Sequence, residues 1–172
     1  MIIEETMKAY IAGLFDGEGC VRVDKQKSSA RRKQVNPSYT LECSLASSNH
    51  AIVEFLRQAF GGGIYFSTGR GGRKDIWNWQ ISSRKAQAFL RIILPYLRIK
   101  KSEVEEAILF QEYVSKTGKT WNRNHPRPLS EIAILNKFYQ SLKDMKGQDI
   151  DLSVVDFSKE KANQQQFQLL LN

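Results

Sequence analysis

Hydrophobic and polar positions alternate along this chain with two periods, and the switches between them mark out its elements. From about Glu5 to Asp16, apolar Met7, Tyr10, Ile11 and Leu14 recur at helical spacing, with Thr6 placed to cap the start. In "CVRVDKQ" (20–26), Val21 and Val23 alternate with Arg22, Asp24 and Gln26, and in "YTLECSLAS" (39–47) Leu41, Cys43 and Leu45 share one side. Both read as strands with one dry and one wet face. A helix from about Asn49 to Phe60 is expected to stop at Gly61, Gly62 and Gly63. A hairpin follows in "IYFSTGRGGRKDIWNWQIS" (64–82), where Trp77, Trp79 and Ile81 alternate with Asn78, Gln80 and Ser82. That alternation predicts core packing for the two tryptophans rather than base stacking. Helices over 84–94, 102–117 and 129–146 complete a single domain spanning 1–146. The remainder, 147–172, reads as a tail that forms a short helix or stays mobile.

The resulting order, α-β-β-α-β-β-α with further helices behind it, is an α+β arrangement in which four strands cover helices on one side and leave the other side open. The open face displays Arg22, Asp24, Gln26, Glu42, Ser44, Asn78 and Gln80. Loops at its rim carry Lys25, Lys27, Arg31, Arg32 and Lys33 in "KQKSSARRK", and Arg70, Arg73 and Lys74 in "RGGRK". Mixed donors and acceptors edged by cations suit base-edge reading combined with phosphate contact. A merely solvated antiparallel face with charged loops gives the same pattern. By side-chain chemistry, Arg22 matches guanine and Gln26, Asn78 and Gln80 match adenine, whereas Asp24 and Glu42 accept from cytosine or orient their neighbours.

Composition adds a partner class. Lys and Arg number 26 against 18 acids, a formal charge of +8 with a pI near 9.5, which favours a polyanion, either nucleic acid or an anionic membrane. The N-terminal "MIIEETMKAY" carries acids where a secretory signal needs positive charge, and the most apolar run, "FLRIILPYLRI", is broken by two arginines and a proline. A non-secreted, intracellular protein is expected, in a prokaryotic cytoplasm or nucleoid or in an organelle, with neither membrane partner nor small-molecule substrate. Cys20, Cys43, His50 and His125 have no zinc-ligand spacing, so reduced structural thiols are expected.

The first helix contains an anomaly. In "YIAGLFDGEGC" (10–20) a glycine sits inside the helix, at a cost of about 1 kcal/mol against alanine, and two acids close it against the negative end of the macrodipole. Ala9, Gly13 and Gly17 fall at i, i+4 and i+8, a face almost without side chains along which another backbone can approach closely. That backbone belongs either to the chain's own sheet or to the same helix of a second copy. In the second case two-fold symmetry sets two "DGEG" ends side by side. Four carboxylates then need neutralising, and their hard oxygens suit Mg²⁺.

"IAGLFDGEG" (11–19) resembles the nine-residue signature of the LAGLIDADG homing endonucleases, matching at Ala12, Gly13, Leu14, Asp16 and Gly19, with Glu18 for the second aspartate. A second family-like stretch is "LPYLRIKK" (94–101), and together with the element order the resemblance covers most of 5–117. It implies a homodimer, as for other single-signature chains, with Ala9, Ala12, Gly13, Asp16 and Gly17 at the interface. It further implies saddle-shaped sheets in the major groove of a long pseudo-palindromic DNA target, and metal-dependent hydrolysis across the central minor groove leaving 3′ overhangs. Glu18 corresponds to the metal-binding acid, Gly17 to a residue offering its backbone carbonyl, and Asp16 to an acid with a more structural role. Lys100 corresponds to the basic residue beside the active site, with Lys101 the alternative if the register slips. The implied ion is Mg²⁺ or Mn²⁺, with Ca²⁺ a non-catalytic substitute. Where family members place a water-positioning glutamine, this chain reads "ASSNH", so Ser47 or Ser48 stands there. Rival functions on the same scaffold are an intron maturase that binds RNA and a non-catalytic DNA-binding regulator.

Overall fold

The period-two segments pair into one four-stranded antiparallel sheet because each has a single apolar face to bury. In chain order the elements are α1 (Glu5–Glu18), β1 (Gly19–Gln26), β2 (Ser38–Ser47), α2 (His50–Phe60), β3 (Gly63–Ser67), β4 (Ile76–Ser82), α3 (Ser83–Ile93), a 3-10 turn (Leu94–Tyr96), α4 (Lys101–Thr117) and α5 (Leu129–Asp144). The computed structural model describes residues 3–27, 36–69, 72, 74–117 and 126–146. Arg31, Arg32, Lys33, Arg70, Arg73, His125 and the tail 147–172 lie outside the described residues.

The strands are ordered β1-β2-β4-β3. Register places Arg22 opposite Glu42 and Glu42 opposite Ser82, then Ser44 opposite Gln80, and Asn78 between Ala46 and Tyr65. Every second residue therefore joins one of two rows. The inner row of Val21, Val23, Leu41, Cys43, Leu45, Trp79 and Ile81 is buried under the helices, with α5, α4 and α1 over β1, α3 over β2 and α2 over β4. Phe89 of α3 is the hub, with edge-on contacts to Phe15, Phe60 and Trp79 at centroid distances of 5.4, 4.9 and 5.1 Å. Trp79 donates its indole N–H to the Gly61 carbonyl at 2.8 Å. Trp77 lies in the same inner row against His50 and Phe66, so both tryptophans pack and neither faces the open side.

Several boundaries differ from expectation for local reasons. α1 runs on to Glu18 because the Gly19 N–H still reaches the Phe15 carbonyl, and its N-cap is Glu4, whose side chain makes no capping bond, rather than Thr6. α2 begins as expected, with Asn49 accepting from the Ala51 N–H at 3.0 Å. It ends at Gly61, whose φ of 76° is a left-handed value. Gly62, with φ of 94°, tolerates no side chain, since a Cβ there would lie 2.4 Å from the Gln80 carbonyl oxygen. Pro95 sits in the turn that follows α3, and α4 starts at Lys101, one residue ahead of the expected 102.

Candidate active site and nucleic-acid interface

α1 delivers its last residues to the sheet through Gly19, the first residue of β1, and its two acids part ways there. Asp16 is 8% exposed, and its carboxylate turns back into its own subunit. It accepts the backbone N–H groups of Arg98, Ile99 and Lys100 at 2.8, 3.2 and 2.9 Å. This clasp fixes the connector between the 3-10 turn and α4 against α1, and Tyr96 adds a hydrogen bond to Glu5 at the helix's other end. The Lys100 ammonium then donates to the Asp16 carbonyl, placing a cation on the negative end of α1. Glu18, the last residue of the helix, stays exposed. Of the two acids expected at this end of α1 only Glu18 is left exposed, because the Asp16 carboxylate is taken up by three backbone N–H groups.

The small-residue stripe faces outward. Ala9, Gly13 and Gly17 are exposed, and a Cβ added at Gly13 or Gly17 would meet nothing within 4 Å. The stripe is therefore not a close crossing over the chain's own sheet. Met7 and Tyr10, 39% and 56% exposed, lie on the same helix. Ala12, expected at the interface, is fully buried in the core: the helix turns about 100° per residue, which carries it from the Gly13 side to the Phe15 side. Asp16 is likewise committed inward.

Glu18 and the Gly17 carbonyl at the end of α1 offer hard-oxygen donors of the kind Mg²⁺, Mn²⁺ or Ca²⁺ prefers. Among the described residues no group of three or more His, Cys, Asp or Glu forms a metal site within one chain. Two neighbours went unnoticed in the sequence. Glu103, at the start of α4, lies in the field of Lys146, Lys100 and Asp16, and burial raises its carboxyl above the usual range. Lys146, just past α5, lies 3.3 Å from the Cys20 Sγ. Both reach the site through tertiary packing, so no local motif announced them. Cys20 and Cys43 are free thiols, and burial pushes that of Cys43 well up.

The open face carries Arg22, Asp24, Gln26, Glu42, Ser44, Asn78 and Gln80 in the outer row, as the alternation predicts. Arg22 donates from Nε and Nη2 to the same Glu42 oxygen at 3.1 and 2.8 Å. That hydrogen bond raises the arginine's pKa further, and with Glu42 only 17% exposed it marks the acid as an orienter of Arg22. Asn78 donates to the Ser67 hydroxyl at 3.1 Å. Lys27 and Lys74 are exposed at the rim. Lys25 departs from expectation: it shares the inner row with Val23, and its ammonium donates to Asn136 of α5 at 2.6 Å and stands over the Tyr39 and Tyr139 rings. Ser47 belongs to the inner row, and its hydroxyl accepts the Asn49 N–H at 3.0 Å; Ser48 is exposed at the following turn.

No helix among the described residues is long and apolar enough to cross a membrane. No curated protein sequence matches this chain. Solved structures share its fold at low identity. The homing endonuclease I-CvuI, in complex with the I-CreI target in 2 mM Mg with the DNA not cleaved, aligns with a TM-score of 0.65 at 13% identity, over 86% of each chain. The archaeal intron-encoded homing endonuclease I-Vdi141I, complexed with DNA, gives 0.65 at 16%, covering 88% of this chain and 92% of that one. The I-SmaMI LAGLIDADG homing endonuclease bound to cleaved DNA gives 0.61 at 14%, covering 85% of this chain but 47% of its own length. The family model for the LAGLIDADG endonucleases matches residues 11–113, from the signature helix into α4, so this chain belongs to the LAGLIDADG endonuclease family.

Proposed function

We propose that this protein is a site-specific double-strand DNA endonuclease that acts as a homodimer on a pseudo-palindromic target, hydrolysing phosphodiesters with Mg²⁺ and leaving 3′ overhangs. The observation that carries the reading is that one end of α1 bears both the exposed Glu18 and a Lys100 that Asp16 holds in place, on a helix whose Gly13 and Gly17 face is bare. Bare glycine surface at Gly13 and Gly17 supports a two-fold helix pair, which brings the two Glu18 carboxylates together. I-SmaMI, about twice the matched length, supports the same architecture, since one chain of this length supplies one signature helix and one sheet.

The bound divalent ion would supply a polarised water and charge opposite the scissile phosphate. Glu18, with the Gly17 carbonyl, would hold it. Lys100 adds fixed positive charge at the phosphate where negative charge grows, a contribution made chiefly in the transition state. Arg22, oriented by Glu42, reads a guanine edge; Asn78 and Gln80 read adenines; Lys27 and Lys74, with the basic rim, engage phosphates. I-CvuI structures with Mg and with Ca and a DNA target support divalent-ion use.

Incubating the protein with randomised duplexes in Mg²⁺ and sequencing the cut ends tests this. A palindrome-like consensus with short 3′ overhangs is expected. Selective binding without any cut would replace the nuclease with a regulator, and preference for structured RNA over all duplexes would replace it with a maturase.

A further inference from the structure

The outer row of the sheet is polar except at one end. Tyr65 of β3 and Ile76 of β4 are 58% and 38% exposed, and register puts both in the outer row: Tyr65 stands opposite Asn78, and Ile76 opposite Ser67 on the adjoining rung. They are diagonal neighbours across the strand pair, one on either side of Asn78. The Tyr65 ring lies back over Gly63, where a Cβ would come within 3.1 Å of its hydroxyl oxygen, so the ring is laid along the sheet. Ala46, half-buried beside Asn78 on β2, extends the apolar surface. None of these side chains has a place in the core, whose aromatic cluster is on the opposite face.

Position says what covers them. The patch is continuous with Asn78 and Gln80, the two amides suited to adenine. It also lies toward the end of β2 that neighbours β1's start, the end where α1 delivers Glu18. In the major groove the partner of adenine presents a C5-methyl group, the only apolar projection on any base edge. We infer that Tyr65 and Ile76 read thymine methyl groups, so that together with Asn78 and Gln80 they select A·T pairs in the part of each half-site nearer the cut. This rests on the DNA-endonuclease reading and adds a chemical specificity to it.

Two randomised duplex libraries, identical except that one is amplified with dTTP and the other with dUTP, test the inference, because uracil differs from thymine only in lacking that methyl. Selecting bound sequences from the dTTP library should enrich thymine at defined positions of each half-site. In the dUTP library that enrichment should fall by about fourfold per methyl, the ratio for burying one such group, while guanine positions keep theirs. Ile76→Ala, at an exposed site where folding is not at stake, should lose thymine enrichment in the dTTP library and leave the guanine positions unchanged. Equal preferences in both libraries, or thymine preference untouched by Ile76→Ala, overturns the methyl contact while leaving the nuclease reading standing. Failure to enrich any sequence from either library overturns both.

Discussion

Asp16→Ala removes the clasp that joins the signature helix to the connector bearing Lys100. The lost carboxylate accepts three N–H bonds between 2.8 and 3.2 Å from a position 8% exposed. Bonds to a charged group contribute about 1.5–3 kcal/mol each. Arg98 and Ile99 are exposed, however, so their N–H groups regain water when the acid goes, and the sum must be discounted accordingly. A net loss of about 3 kcal/mol is expected, which for a domain of this size lowers Tm by roughly 6–12 °C. Asp16→Asn keeps an acceptor oxygen but loses the charge, and should fall about midway. The functional consequence is separate. Once the connector is released, the Lys100 ammonium no longer rests on the Asp16 carbonyl, and a displacement of about 1 Å in a positioned group costs on the order of 10²-fold in rate. Denaturant unfolding gives the stability, and single-turnover cleavage at a temperature where the variant is fully folded gives the rate. Wild-type stability to within about 0.5 kcal/mol, the scatter of ordinary surface changes, would refute the clasp. Lost stability with an unchanged cleavage rate would refute its role in placing Lys100.

Gly13→Leu should act in opposite directions on the subunit and the dimer. Nothing stands within 4 Å of a Cβ at this position, so the isolated subunit should gain up to about 1 kcal/mol of helix propensity while sedimentation shows the dimer gone. Arg22→Ala should relax preference at one base pair per half-site and leave the cutting rate of bound DNA intact; unchanged specificity in a cut-end selection would mean Arg22 does not read a base. Affinity should fall with salt at a log–log slope of about −0.9 per phosphate contact, and a flat plot would exclude the basic rim from binding. Thiol labelling of the native protein should modify Cys20 alone, since Cys43 is buried and held protonated by desolvation; rapid reaction of both would contradict the core packing around β2.

The element order and the polar face were readable because each strand keeps strict alternation, so Val21, Leu41 and Trp79 identify one face and Arg22, Glu42 and Gln80 the other. The same alternation assigns Lys25 to the Val23 side; its charge suggested DNA, but its partners are Asn136 and two tyrosines contributed by folding. Ala12 and Gly13 are adjacent in the signature and diverge in space because a helix turns. The use of Asp16 was hidden for another reason: its partners lie more than 80 residues away and are backbone groups, which carry no sequence mark. Tyr65 was hidden because β3 is five residues long with Ile64, Tyr65 and Phe66 in succession, so its apolar residues set no phase, whereas Ile76 follows the β4 alternation outward.

The most direct test of the account is Glu18→Gln on the duplex that the wild-type protein selects. The exchange preserves size and helix position at an exposed residue and removes the one free carboxylate at the end of α1. Target affinity measured in Ca²⁺ should stay within about twofold, the scatter expected of a residue that contacts no base, while single-turnover cleavage in Mg²⁺ should fall by 10³-fold or more, on the order of losing an essential electrostatic group. Cleavage at the wild-type rate by Glu18→Gln would contradict the account at its centre.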